Sequence, residues 1–309
     1  MSKHRKQTSV RTIAWRIVLG LGGLTVVMVS LMRGNNIALF NSRGMIAHEQ
    51  RQLMIHIVVI LLVIAIPSLF LLYFTAWKYR ESNVKPPRSS KAPGKHSRML
   101  VSTIWLIPSL FALVLALIMW PAAHTLDPKH TIDPGTQPLT IQVVSMRWKW
   151  VFIYPEQHIA TVNFVQIPEH TPVKFMLTAD EAPMSSFWIP NLGGQLYSMT
   201  GHQNQLNLVG DMQGDYTGSS AEINGAGFAD MKFTARVSPR DAFDFWVSDV
   251  KLSGNKLNEA EYQKLLKPSQ NNPPTFYAAV DSDLYDKVLM KYMSSMGEDA
   301  YMTDMGNHE

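Results

Sequence analysis

Cysteine is absent from the 309 residues. That lack excludes disulfides, thiolate zinc sites, iron–sulfur clusters, cysteine nucleophiles and any copper centre built on thiolate. It also excludes a lipid-modified N-terminal cysteine, but not an oxidising compartment, where a protein can live without disulfides. Acid is missing from residues 1–16, which carry Lys3, Arg5, Lys6, Arg11 and Arg16. It is nearly missing from residues 75–98, where Glu81 alone faces Lys78, Arg80, Lys85, Arg88, Lys91, Lys95 and Arg98. Charge of either sign is scarce in residues 17–74, which hold Arg33, Arg43, Arg51 and Glu49. From residue 99 onward acids outnumber bases. The net charge of +4 and the pI near 9.1 therefore describe two short basic patches on a chain whose larger part is acidic. No basic groove with interleaved aromatics exists, so nucleic acid is excluded as a partner. No nucleophile constellation, paired general base or phosphate loop is present either.

What is present is a pair of long apolar runs. Leu53–Phe74 contains one ionisable side chain before Tyr73, His56, and Met99–Trp120 contains no charge. Each is long enough to cross the hydrocarbon layer as a helix, which takes about 20 residues. Pro67 and Pro108 inside them are tolerated in membrane helices. Trp77, Tyr79, Trp105 and Trp120 fall toward the span ends, where aromatic belts form. Basic loops stay in the cytoplasm, so the patch at 75–98 orients the hairpin out–in–out and places residues 121–309 in a periplasm-like space. Ile17–Met32, behind the basic leader, reads as a signal peptide or an uncleaved anchor. His48 and His56 bracket the first span, and His56 either snorkels to headgroups or meets a partner helix.

From Leu139 the pattern changes to short runs rich in Val, Ile, Phe, Tyr and Thr. Strands are predicted at Leu139–Ser145, Trp148–Tyr154, Ala160–Pro168, Pro172–Ala179, Phe187–Pro190, Gln203–Val209, Gly214–Ile223 and Met231–Val237. This spacing predicts an antiparallel sandwich or barrel. Helices are predicted over residues 238–250, with Ser238 as cap and Pro239 in the first turn, and over Glu259–Leu266 and Leu284–Met293. A loop joins them at 268–274. The expected organisation is a leader at 1–34, a transmembrane hairpin at 35–122, a β domain at 123–237 and a helical extension at 238–309. That extension ends in a tail with Met290, Met293, Met296, Met302, Met305 and His308. Such a tail reads as a flexible or partner-binding segment rather than a Cu(I) site.

Specific residues narrow the field. Ser145-Met146-Arg147-Trp148-Lys149-Trp150, Phe152-Ile153-Tyr154-Pro155-Glu156-Gln157 and Ile159-Ala160-Thr161-Val162-Asn163 resemble subunit II of the haem–copper oxidases. The likeness runs to the quinol-oxidising, cytochrome bo-type branch. Ser186-Phe187-Trp188-Ile189-Pro190-Asn191-Leu192-Gly193, Gly225-Ala226-Gly227-Phe228, Met231-Lys232-Phe233, Ala76-Trp77-Lys78-Tyr79-Arg80 and Glu49-Gln50-Arg51 continue it. The resemblance implies a membrane hairpin and a cupredoxin-like sandwich docked on a haem-bearing subunit I. It also implies a multi-pass protein of the bacterial inner membrane, with its C-terminal domain periplasmic. The implied partners are subunit I, smaller membrane subunits, membrane quinol and the bilayer. Haem and copper are implied in subunit I, with no cofactor in this chain.

In the cytochrome c-oxidising branch the sandwich holds a two-copper centre. Its ligands are two bridging cysteines, two histidines, a methionine and a glutamate carbonyl. The resemblance puts Ser185 and Phe228 at the histidine positions and Ser220 and Asn224 at the cysteine positions. Met231 stands at the methionine position and Glu222 at the carbonyl position. Hydroxyl, amide and phenyl groups do not replace bridging thiolates and imidazoles, so no dinuclear copper is expected. Without it, Met231 reads as a core residue and Glu222 as a surface or interface acid. Trp148 and Trp150 stand where the family places its electron-entry aromatics. Two apart on a strand they would face one side and pack, with Glu49, against subunit I. Two departures stand out. The family's lipidated cysteine position reads Asn35, and the glutamate that opens the second span reads Val101. The expected function is the non-catalytic second subunit of a proton-translocating quinol:oxygen oxidoreductase. The rival readings are a cytochrome c oxidase subunit II and a membrane-anchored copper-handling assembly factor. Removal of residues 288–309 is expected to spare assembly on the first reading.

Overall fold

The computed structural model describes residues 41–80 and 98–292, preceded by positions 19, 20, 22, 23, 26, 27, 30 and 38. The chain divides into one compact unit of residues 1–41 and another of residues 42–309. In the first, the described positions between 19 and 30 are helical. The rest of the Ile17–Met32 expectation, Asn35, most of the basic loop and the tail from Met293 lie outside the described residues.

Two long helices open the second unit. α1 spans Met45–Lys78 and α2 spans Arg98–Thr125. Both are long and apolar enough to cross a membrane. At 1.5 Å per residue they measure about 51 and 42 Å, more than the ~30 Å of the hydrocarbon layer. The hydroxyls of Ser68, Thr75, Thr103 and Ser109 turn back on their own helices. Ser68 Oγ donates to the Ile64 carbonyl and Ser109 Oγ to the Trp105 carbonyl, both at 2.8 Å, which keeps the hydroxyls satisfied where water is absent. Phe70, Leu72, Trp105 and Leu117 stand exposed on this chain taken alone. So large an apolar surface belongs against lipid or a partner. α1 begins well before the predicted span because His48, Gln50 and Gln52 extend the helix outside the apolar stretch.

Among the described residues thirteen strands follow. β1 (Leu139–Met146), β2 (Lys149–Tyr154), β3 (Ile159–Val162), β5 (Val173–Ala179), β8 (Asn204–Leu208) and β12 (Thr275–Tyr277) form one sheet, in the order β12-β3-β2-β1-β5-β8. β4 (Phe164–Pro168), β6 (Ser185–Ile189), β7 (Gly193–Ser198), β9 (Gly214–Ser220) and β10 (Lys232–Ser238) form the second, in the order β4-β10-β9-β6-β7. β1 and β5 run parallel, as do β4 and β10, and the other pairs in both sheets are antiparallel. Between the sheets lie Ile141, Val143, Trp150, Phe152, Phe175, Phe187 and Phe233. The rings of Phe187 and Phe233 stack at 5.2 Å, and Trp150 meets Phe187 edge-on at 5.4 Å. This is the aromatic-rich core of a sandwich.

Several predicted elements are corrected. The run Ala160–Pro168 is two strands in different sheets. Asn163 between them takes a left-handed backbone (φ 53°), its Oδ1 accepting the Trp150 N–H at 2.9 Å. β7 was not predicted, because Gly193-Gly194 reads as a turn. Ser238 does not cap the next helix. It closes β10 and its Oγ accepts from Gln166 Nε2 at 2.9 Å, while Pro239 holds the cap position of α3 (Arg240–Leu252). α4 (Glu259–Leu266) starts as predicted, with Asn258 Oδ1 accepting the Glu261 N–H at 3.0 Å.

The C-terminal extension is not purely helical. It contributes β12 to the first sheet, and β11 (Lys256–Leu257) pairs with β13 (Ala279–Val280). Residues 284–292 are helical. Together these pieces cover the outer face of the first sheet. Leu257, Tyr262, Leu266, Tyr277, Leu284, Tyr285 and Val288 bury Val144, Met146, Val151 and Ile153 in a second core. That explains why β2 is buried along its whole length and reads as a continuous apolar run instead of an alternating one.

The start of α1 is joined to one end of the sandwich. The Arg43 N–H donates to the Asn191 carbonyl at 2.7 Å, the Ala47 N–H to Leu192 at 3.2 Å, and the Asp211 N–H to Arg43 at 2.9 Å. Gly193 makes this approach possible. Its φ is +101°, and a Cβ there would stand 2.6 Å from the Ala47 nitrogen.

Candidate functional site

At the opposite end of β6 and β9 three connections meet. They are the β1–β2 turn at Arg147–Trp148, the β5–β6 loop at 180–184 and the β9–β10 loop at 221–231. This is where the sequence places the degenerate copper positions, and the structure brings them together. Ser185, Ser220, Asn224 and Met231 are buried, while Glu222 and Phe228 are half-buried.

Their polar atoms bond to one another. Asn224 Nδ2 donates to Ser185 Oγ at 2.8 Å and to Met231 Sδ at 3.0 Å. Ser220 Oγ donates to the Glu222 carbonyl at 2.9 Å and receives the Ser186 N–H at 3.3 Å. Phe228 opens a single 3₁₀ turn, Phe228–Asp230. The Asn224 amide thus lies between the hydroxyl and the thioether, and the carbonyl at Glu222 is engaged by a hydroxyl. Asn224 Oδ1 and Ser186 Oγ are buried with no hydrogen-bond partner among the described residues.

These residues do not fit a dinuclear copper centre. Bridging two copper ions takes soft, anionic thiolate sulfur. The one soft atom here, Met231 Sδ, already accepts an amide N–H. Among the described residues no group of three His, Cys, Asp or Glu side chains is placed to hold a metal ion.

The two tryptophans separate. Trp148 lies in the turn, not on a strand, with φ 65°. Its half-buried ring lies over the β9–β10 loop: a Cβ on Gly227 would stand 2.4 Å from the indole. Trp150 is 0% exposed inside the sandwich core, so the expectation that it packs against a partner is corrected. The reason is the turn at Arg147–Trp148, which breaks the alternation assumed for a continuous strand. Glu49 is exposed on α1, at the other end of the sandwich from Trp148.

Three structural features escaped sequence reasoning. Lys149 is buried and its Nζ donates to the Leu265 carbonyl at 2.7 Å and the Lys267 carbonyl at 2.8 Å, capping α4. Burial holds this ammonium below the ordinary lysine range. Asp180 is buried at the foot of the β5–β6 loop and gathers donors from Tyr262, Lys291 and Tyr292. A surface cavity of about 460 Å³, away from the site, is lined by Phe164, Trp246, Phe276, Asp249 and the Arg236–Asp215 pair. The partners of these residues are far away in sequence, so no local signal marked them.

Comparison with known proteins agrees with this geometry. A family model described as cytochrome c oxidase subunit II, periplasmic domain, matches residues 156–237. Another, described as the COX aromatic rich motif, matches residues 251–296. The cytochrome bo(3) ubiquinol oxidase subunit 2 of Pseudomonas aeruginosa is 39% identical over 87% of this chain and 80% of its own length. That of Pseudomonas putida is 40% identical over 88% and 85%. The ubiquinol oxidase subunit 2 of Acetobacter aceti is 39% identical over 90% of both. Two helices long and apolar enough to cross a membrane, a cupredoxin-like sandwich and these likenesses lead to one conclusion: the chain belongs to the subunit 2 family of the bo-type ubiquinol oxidases.

Proposed function

We propose that this chain is the non-catalytic second subunit of a quinol:oxygen oxidoreductase in the bacterial inner membrane. The observation that carries the reading is the state of the copper positions: Asn224 Nδ2 donates to both Ser185 Oγ and Met231 Sδ, and Ser220 Oγ donates to the Glu222 carbonyl. A chain with that interior offers no port for electrons from cytochrome c. Electrons enter the complex from membrane quinol instead. Two quinols release four electrons and four protons, and one dioxygen becomes two waters. Haem and copper belong to subunit I, and proton translocation belongs to the assembled complex. Val101 cannot relay a proton, so proton entry rests on other groups.

In this reading α1 and α2 pack against subunit I and the smaller membrane subunits. The basic loop at 75–98 faces the cytoplasm, and the sandwich caps the complex from the periplasm. Trp148 and the β9–β10 loop, where Ile223 is 78% exposed, form the docking face. Glu49 meets subunit I separately, from the start of α1 at the other end of the sandwich.

The test is purification of the complex through a tag on this chain. Expected are haem, subunit I, oxygen uptake with quinol and none with reduced cytochrome c. Oxidation of cytochrome c, together with a near-infrared copper band and copper beyond that of subunit I, would overturn the proposal.

A further inference from the structure

We infer that Asp180 is a positioning residue for the docking face. Through it, the aromatic-rich C-terminal segment clamps the three loops at that face. The inference rests on the docking role proposed above.

The starting point is a carboxylate in an expensive place. Asp180 is 1% exposed. Burying a carboxylate carries a large desolvation cost unless charge-assisted hydrogen bonds offset it. Asp180 has three such bonds. Tyr262 Oη donates to one oxygen at 2.8 Å, and Tyr292 Oη and Lys291 Nζ donate to the other at 2.7 and 3.0 Å. All three donors come from the C-terminal segment. Asp180 and the Tyr262 hydroxyl are mutually reinforcing, since burial and then the carboxylate push that phenol well above the usual tyrosine range. Burial works against the Lys291 ammonium, but its bonds to Glu181 and Asp180 prevail and hold it above the usual lysine range.

The contacts spread from Asp180 to the neighbouring loops. Its own N–H donates to the Ser145 carbonyl at 3.0 Å. Glu181 follows in a left-handed conformation (φ 47°), its N–H donating to Tyr292 Oη at 2.9 Å and its carboxylate accepting from Lys291 at 2.8 Å. The Glu181 carbonyl accepts from Arg147 Nε at 3.0 Å, so the contacts of Lys291 and Tyr292 reach the turn that carries Trp148. On the other side, Gln270 of the same segment closes over Gly227, on which Trp148 lies.

Attachment of the segment does not explain this arrangement. The second core already fastens it to the sheet through Leu257, Leu266, Leu284 and Val288. What the Asp180 cluster adds is a grip on loops. Two residues in those loops, Trp148 and Glu181, hold left-handed backbones that persist only where surroundings enforce them. Inside the face, Asn224 Nδ2 provides the main cross-link, and two buried polar atoms there have no partner among the described residues. The loops are therefore held from outside.

Hydrogen exchange of the purified complex tests this, comparing Asp180→Ala and Tyr292→Phe with the unmodified chain. Asp180→Ala is expected to speed exchange about tenfold at 147–149, 180–184 and 221–231, with the strands of the second sheet unchanged. The loop at 221–231 decides the matter, because Asp180 does not bond to it. Faster exchange confined to 284–292 would overturn the inference and leave Asp180 a simple anchor for the C-terminal helix. If the alanine variant fails to assemble, Tyr292→Phe, which deletes one hydroxyl, is read by the same criterion. A complex that exchanges as expected but does not oxidise quinol would remove the functional reading alone, so the two failures are distinct.

Discussion

Lys149 shows how a single side chain can be read wrongly in isolation. Between two tryptophans in sequence it looks like a surface cation on a strand. In the fold its ammonium is buried and satisfies two carbonyls at the end of α4, groups that a helix leaves without internal partners. Replacing it with methionine leaves those carbonyls unpaired. Lys149→Met is expected to lower the stability of the sandwich by about 1–3 kcal/mol at neutral pH, measured by denaturant unfolding of the full chain in detergent. The pH dependence has a definite sign. Burial lowers the folded-state pKa, so above that value the folded state binds fewer protons than the unfolded one. Stability of the unmodified chain then rises with pH up to the ordinary lysine range, and this rise disappears in the methionine variant. Asp180 escaped reading for the same reason as Lys149. The Ala179-Asp180-Glu181 step looks like an exposed turn, and the three groups that bury it lie at Tyr262, Lys291 and Tyr292.

Among the elements, those set by local pattern were the legible ones. α4 has its cap at Asn258, and both membrane helices have unbroken apolar runs, so their positions followed from the chain itself. Elements set by distant contacts did not. β7 begins at two glycines, and only its neighbour β6 makes it a strand. The break at Asn163 depends on Trp150 and on Asn272, whose carbonyl accepts from Asn163 Nδ2 at 2.9 Å. At the candidate site motifs pointed to Ser185, Ser220, Asn224 and Met231, whereas the cross-links among Ser185, Asn224 and Met231 left no local signal. The α1–sandwich junction gives a prediction at this scale. Gly193→Ala places a methyl group into the backbone of α1 at Ala47 and strains a left-handed position. A cost of about 1–3 kcal/mol is expected. Thermal unfolding followed by intrinsic fluorescence should show the sandwich melting earlier, with the helical signal of α1 and α2 retained. An unchanged melt would mean that the junction does not stiffen the domain.

For the whole molecule, the decisive question is where the working chain ends. Sequence alone set the boundary of a dispensable tail at residue 288, and on that basis removal of 288–309 looked harmless. The structure moves the boundary. Val288 lies in the second core, and Lys291 and Tyr292 hold Asp180. A chain stopped after Lys287 loses an apolar side chain from that core and two of the three donors to a buried carboxylate. A chain stopped after Tyr292 keeps every one of these contacts. The two truncations are therefore expected to differ sharply. Ending at Tyr292 should leave copurification with subunit I and quinol-dependent oxygen uptake close to those of the full chain. Ending at Lys287 should cost about 1–3 kcal/mol, because Asp180 keeps only the Tyr262 hydroxyl of its three donors and the second core loses Val288. Its yield in the purified complex should fall accordingly. Both outcomes are read from the amount of this chain retained per haem and from oxygen uptake per haem. If the shorter truncation also abolishes uptake, residues 293–309 have a function of their own, and the methionines there become the first place to look for it. If the longer truncation retains full uptake, the C-terminal segment contributes nothing that the two membrane helices and the first core do not already supply.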